Sequence, residues 1–114
     1  MKLAIPAVMA MAATTVAGEY FTSYTRCGWT WCNSDGVWHG DDGDHDFDAN
    51  EGCRDRGLPS GLTRICIDWG NKRAHAYSSR YPKRCYRKTG DYQCNFHNSP
   101  DRTCANWDES PCDW

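Results

Sequence analysis

The 114-residue chain has no Cys-x-x-Cys pair, no Asn-x-Ser/Thr sequon, and no Gly-x-Ser-x-Gly, His-Glu-x-x-His or glycine-rich phosphate-loop motif. The first absence argues against zinc, whose structural ligands usually come as closely spaced pairs. The second removes the acceptor that N-glycosylation requires, and the third leaves none of the local geometries that common hydrolases and nucleotide-binding proteins build. Internal repeats, heptads and low-complexity tracts are also missing, which excludes solenoids and coiled coils. Mean hydropathy is -0.81, and the one long apolar run lies at the extreme N-terminus. Nothing after that run is apolar enough to predict a bilayer-spanning helix.

The N-terminus is itself informative. Met1 and Lys2 give a short positive start, Leu3 to Ala13 is almost uninterruptedly apolar, and Thr15-Val16-Ala17-Gly18 supplies small residues. That order is the pattern of a cleavable secretory signal, and the run is too short for a membrane anchor. The expected organisation is therefore a signal over residues 1–18 and a single disulfide-rich domain over residues 19–114, secreted to the extracellular space.

All eight cysteines follow the signal: Cys27, Cys32, Cys53, Cys66, Cys85, Cys94, Cys104 and Cys112. An even number in a short exported chain predicts four disulfides, although eight cysteines allow 105 connectivities. A domain of this size buries only about 60 to 65% of its unfolded surface, so its core alone is marginal. No cofactor and no metal is expected.

Turn signals at short intervals predict a mainly β fold: a small disulfide-stapled β-sandwich or β-barrel with at most one or two short helices, the alternative being an α+β sandwich. The clearest element is a hairpin of Leu62 to Trp69 with Lys72 to Ser78 around a primed-type Gly70-Asn71 turn. Partners would sum to 141, burying Ile65, Ile67, Ala74 and Ala76 and setting Asp68 opposite Arg73, with Arg64 and Tyr77 in cation-aromatic contact. A second hairpin, Lys83 to Lys88 with Asp91 to His97 around Thr89-Gly90, would set Cys85 opposite Cys94. A third would join Thr25 to Cys32 with Gly36 to His39 through Asn33 to Gly36. One short helix is expected after an Asp48 cap with Glu51 at its third position, and a last helical turn from Ser99-Pro100-Asp101.

Charge is segregated: residues 35–51 hold seven acids and no Lys or Arg, whereas residues 54–88 hold ten bases and two acids. The acidic run suggests either a solvated loop or a hard-cation site, but no register of it satisfies the EF-hand pattern. Either the acidic loop neutralises the basic strands, or those strands leave an exposed face for an anion. Past residue 18 the chain carries 12 basic and 15 acidic groups, so no specific nucleic-acid partner is expected.

Two further constellations carry candidate chemistry. His75, with Asp68 and Arg73, and His97 at the end of the second hairpin form the set that acid/base cleavage of RNA would need: one group to take the 2'-hydroxyl proton, one to protonate the leaving oxygen, and a cation on the phosphate. Trp29, Trp31 and Trp38 would share one strand face as a stacking platform for sugar rings.

The cysteine layout from Cys27 to Cys112 and the segment Leu58-Pro-Ser-Gly-Leu-Thr-Arg-Ile-Cys-Ile-Asp-Trp69 resemble the small secreted cysteine-rich proteins of filamentous fungi. That resemblance implies a compact β-sandwich or β-barrel and a non-enzymatic effector-like or killer-toxin-like antimicrobial role. Its target would be an extracellular host or competitor protein, a polysaccharide or a membrane component, with a homodimer as a further option. It transfers no site residue. A small secreted ribonuclease and a carbohydrate-binding protein are the alternatives.

Each native bridge restricts the unfolded chain by about 2 to 4 kcal/mol. Limited proteolysis should therefore leave the oxidised protein intact for hours and digest the reduced protein within minutes; equal resistance of both forms would contradict a staple-dependent fold.

Overall fold

A computed structural model describes residues 19–59 and 61–114; the signal expected over residues 1–18 lies outside the described residues. Nine strands follow one another with no helix among the described residues: β1 (Tyr20–Cys27), β2 (Cys32–Gly40), β3 (Gly43–Asp48), β4 (Gly52–Arg54), β5 (Leu62–Asp68), β6 (Arg73–Ser78), β7 (Arg84–Lys88), β8 (Tyr92–Phe96) and β9 (Ser99–Ser110). They form one antiparallel sheet in the order β3-β2-β1-β9-β7-β6-β5-β4, with β8 also paired to β9. The sheet curls into a half-barrel, so the mainly β, disulfide-stapled expectation holds and the α+β alternative does not.

The curl brings the two end strands towards each other. Residues 49–51 link β3 to β4, and Trp69 holds that link by donating its indole N–H to the Ala49 carbonyl (3.0 Å) and its backbone N–H to the Glu51 carboxylate (2.9 Å). Arg54 on β4 reaches Asp48 on β3 at 3.8 Å.

The concave side is filled by aromatic rings. Phe21 stacks on Trp107 (centroids 5.1 Å apart) and on Trp38 (5.9 Å), and meets Phe47 and Tyr86 edge-on at 5.4 and 5.9 Å. These are cross-strand neighbours, since Phe21 lies opposite Trp38 on β2 and opposite Trp107 on β9. Ile65, Ile67, Ala74 and Ala76 close the core from β5 and β6. Offset and edge-on rings satisfy the ring quadrupoles as well as excluding water. The rings fit because small residues stand between them: a Cβ added at Gly36 would sit 2.6 Å from the Phe47 ring and 3.0 Å from Ala49 Cβ.

The first hairpin keeps its expected register from Arg64↔Tyr77 to Asp68↔Arg73, with a bulge beyond. Its turn differs: Lys72 N–H donates to Trp69 O, and Lys72, not Gly70 or Asn71, is left-handed (φ 55°). Arg64 does not stack on Tyr77; the cation-aromatic contact on this strand pair is Arg73 over Trp114, at 4.2 Å. The two-residue primed turn is at His97-Asn98 (φ 48° and 65°), joining β8 to β9, where histidine and asparagine tolerate that region better than most residues.

Four local expectations are corrected. Cys85 does not face Cys94: Thr89 binds the Asn106 carbonyl through both its N–H and its hydroxyl, tying the loop to β9, so β7 and β8 lie end to end along β9. The turn between β1 and β2 is residues 28–31, not 33–36, because Cys27 and Cys32 are bridged directly across it. The helix expected after Asp48 is β4, since Gly52 takes φ 106° and Cys53 pairs with Cys66 on β5; the Asp48 side chain instead accepts from the Asn50 N–H in a tight turn. The helical turn expected at Ser99 is the start of β9. The bridges are Cys27–Cys32, Cys53–Cys66, Cys85–Cys112 and Cys94–Cys104, leaving no free cysteine.

The close contact at Gly36 generates a test. Gly36→Ala should cost about 1 to 3 kcal/mol by overpacking, lowering Tm by roughly 5 to 20 °C. Gly90→Ala, where an added Cβ meets nothing within 4 Å, should leave Tm nearly unchanged. Equal Tm values for the two variants would contradict the packing described for Gly36.

Candidate functional site

The segregated charges do not form two facing blocks. The acidic run is the hairpin of β2 and β3, not a loop, and its aspartates are engaged singly. His39 binds Asp44 at 2.9 Å, His45 binds Asp42 at 3.2 Å and His97 binds Asp46 at 3.0 Å. Arg102 reaches Asp35 at 3.2 Å. The basic strands find acids of their own: Arg73 with Asp68 (3.0 Å), Arg84 with Glu109 (3.8 Å), Lys88 with Asp91 (2.6 Å) and Arg87 with Asp113. Among the described residues no three His, Cys, Asp or Glu side chains converge as a metal ion would require.

Of the residues considered for RNA cleavage, Asp68, Arg73 and His75 stay together on β5 and β6, and His97 is separated from them. His75 lies at the middle of β6 on the convex face, opposite Cys66 and Cys85. The C-terminal Trp114 packs over it, with ring centroids 4.3 Å apart, while Lys83 donates to the Trp114 carbonyl. Burial first, and then Lys83, Arg64 and Arg73, hold His75 below the ordinary histidine value of 6.5. Hydrogen bonds from Asn71 and then from Arg73 hold Asp68 below the ordinary carboxylate value. His97, by contrast, pairs with β3, which four strands separate from β6 in the sheet order. At about 4.8 Å per strand, that places the two histidines on different parts of the molecule.

The three tryptophans also separate. Trp38 is a core residue, 2% exposed, against Phe21. Trp29 and Trp31 lie in the β1–β2 turn, 102% and 51% exposed. That turn is held at three points. The Cys27–Cys32 bridge closes its base, Gly28 N–H donates to the Trp31 carbonyl at 2.8 Å, and the Trp31 ring packs so close to Gly28 that any Cβ there would meet it at 2.5 Å. Arg26 lies 5.8 Å from the Trp31 ring centroid. A rigid loop thus presents one indole fully to solvent and a second beside a guanidinium.

Next to this tip the half-barrel opens. Facing pairs on β1 and β9 shrink towards it, from Phe21↔Trp107 through Ser23↔Ala105 to Thr25↔Thr103. The space the rings fill lower down becomes a groove of about 570 Å³. Trp69 and Lys72 of the β5–β6 turn, Lys88 at the end of β7, Asp91 after it, Arg26 on β1 and Asp101 on β9 complete its lining. Two of these hold left-handed backbone: Lys72 closes the β5–β6 turn, and Asp101 (φ 64°) sits where the β8–β9 register shifts. Sequence reasoning missed the groove because its residues become neighbours only through the long-range pairing of β9 with β1 and β7 and of β7 with β6. The tip was more accessible: Cys-x4-Cys enclosing two tryptophans is itself a closed-loop signal.

The lowered His75 value carries a pH dependence. The folded protein binds that proton less readily than the unfolded chain, so the folded state is penalised as pH falls below about 6.5, the penalty growing towards the lower folded value. Between pH 7.5 and 5, Tm should drop less for His75→Gln than for the unsubstituted protein; parallel curves would contradict a neutral, Trp114-covered His75. Comparison with known protein families, with curated proteins and with solved structures returns no match, so the reading of this site rests on its own geometry.

Proposed function

We propose that the protein is a secreted, non-catalytic binder of the effector or antimicrobial type, which acts outside the producing cell and engages its target through the tip between β1 and β2. The observation that carries this reading is Trp29, wholly exposed on a loop locked by the Cys27–Cys32 bridge. An indole left in water on a flexible loop would gain little on binding, because ordering the loop would offset the contact. A pre-ordered indole keeps most of that contact free energy, and tryptophan is the residue most enriched at binding hot spots. Four disulfides suit an oxidising compartment, which supports the extracellular setting. The dispersal of His75 and His97 favours a binding role over RNA cleavage.

The test is retention of purified, oxidised residues 19–114 on intact microbial cells and on isolated cell walls. The double variant Trp29→Ala/Trp31→Ala should lose at least about fivefold in retention, while its near-ultraviolet circular dichroism stays cooperative on heating. Undiminished retention by a folded double variant would remove the tip from the account.

A further inference from the structure

The groove beside the tip has no part in the fold that would explain its lining. Its floor is Ser23, Thr25, Thr103 and Ala105, where a larger apolar pair would have extended the core. Ser23 and Thr25 are occupied: Ser23 Oγ accepts from the Trp107 indole at 3.0 Å, and Thr25 Oγ1 lies 2.7 Å from Ser34 Oγ. Among the described residues, no side-chain hydrogen bond or ion pair engages Lys72, Asp101 or Thr103. A cation, a carboxylate and a hydroxyl therefore share one concavity with the half-buried indole of Trp69.

We propose that this groove is a saccharide-binding site for an uncharged, hydroxyl-rich chain. The proposal rests on the reading of the protein as an external binder and names the ligand class of a second surface next to the tip. Sugar hydroxyls each donate and accept, so they require donors and acceptors interleaved at short range, and the apolar C–H faces of the rings require an aromatic or aliphatic wall. Asp101 accepts, Lys72 donates, Thr103 does either, and Trp69 is the wall. Charge in the groove is mixed: Arg26, Lys72 and Lys88 outnumber Asp91 and Asp101 by one, and the Lys88–Asp91 contact of 2.6 Å neutralises one pair internally, which leaves the Asp101 carboxylate beside two cations. A polyanion would be drawn by the cations and repelled by Asp101. The volume lies within the range of about 300 to 1,000 Å³ usual for ligand sites. Arg26 lines the groove and lies 5.8 Å from the Trp31 ring centroid, so a chain longer than the groove has an aromatic surface to continue along.

The test is calorimetric titration of the oxidised protein with neutral oligomers of glucose, mannose and N-acetylglucosamine, and with oligogalacturonate as the acidic comparison. At least one neutral oligomer should bind, with an affinity that changes less than about twofold between roughly 50 and 500 mM salt. Asp101→Asn and Thr103→Val should each weaken that binding about tenfold, since each leaves a sugar hydroxyl without its partner. Both variants spare the fold: asparagine tolerates the left-handed region, and valine keeps the shape of threonine at an exposed strand position. Three results would overturn the proposal: no neutral oligomer bound at millimolar concentration, binding unmoved by both variants, or preference for oligogalacturonate with steep loss in salt. Failure here would leave intact a retention on cells that depends on Trp29 and Trp31, so the two readings fail separately.

Discussion

Everything distinctive in this molecule depends on the pairing of β9 with β1. That ladder joins the acidic hairpin of β2 and β3 to the basic strands β5 to β7, and it pairs the first strand in sequence with the last. It also decides what the concave face holds. At one end it sets Phe21 against Trp107 and seeds the aromatic cluster; two pairs further on it sets Thr25 against Thr103 and leaves a polar groove. Core and candidate site are two ends of one register, and a two-residue slip would displace both.

The four bridges add to this ladder rather than replace it. Cys27–Cys32 and Cys53–Cys66 join residues directly opposite on neighbouring strands, closing short loops at the tip and at the β4 edge. Cys94–Cys104 fastens β8 to β9, and Cys85–Cys112 ties the C-terminal segment back to β7, where Trp114 covers His75. Besides restricting the unfolded chain, the bridges secure edges and ends that a small core cannot hold. The exposed Trp29 is tolerated because the bridge beneath it prevents the tip from collapsing onto the sheet.

Much of the fold was legible in the sequence where the signal was local. The β5–β6 register followed from alternation in Leu62 to Trp69 and Lys72 to Ser78, and it survived a wrong turn type because a four-residue loop closing on Lys72 preserves the same pairing. Where pairing was decided at long range, local signals misled. Thr89-Gly90 resembles a hairpin turn, but Asn106 captures Thr89, and the true turn at His97-Asn98 lacks glycine. Asp48 and Glu51 resemble a capping box, but Trp69, eighteen residues past Glu51, takes that carboxylate for an edge contact. The site was legible only in part. Residue type singles out Trp29 and Trp31, but strand alternation sets them on one face with Trp38, because counting cysteines does not reveal the Cys27–Cys32 closure that turns them outward. Asp101, Lys72 and Thr103 give no signal, since Lys72 reaches β9 only through the long-range β6–β7 and β7–β9 pairings.

The most direct measurement is therefore the β1–β9 register in the oxidised protein in solution, read from cross-strand proton contacts in isotope-labelled material. The β1–β9 pairing predicts contacts of Phe21 with Trp107, Ser23 with Ala105 and Thr25 with Thr103. Contacts pairing residues 83–88 with residues 91–97 as a local hairpin, with β1 paired only to β2, would contradict it and dissolve the groove together with the core.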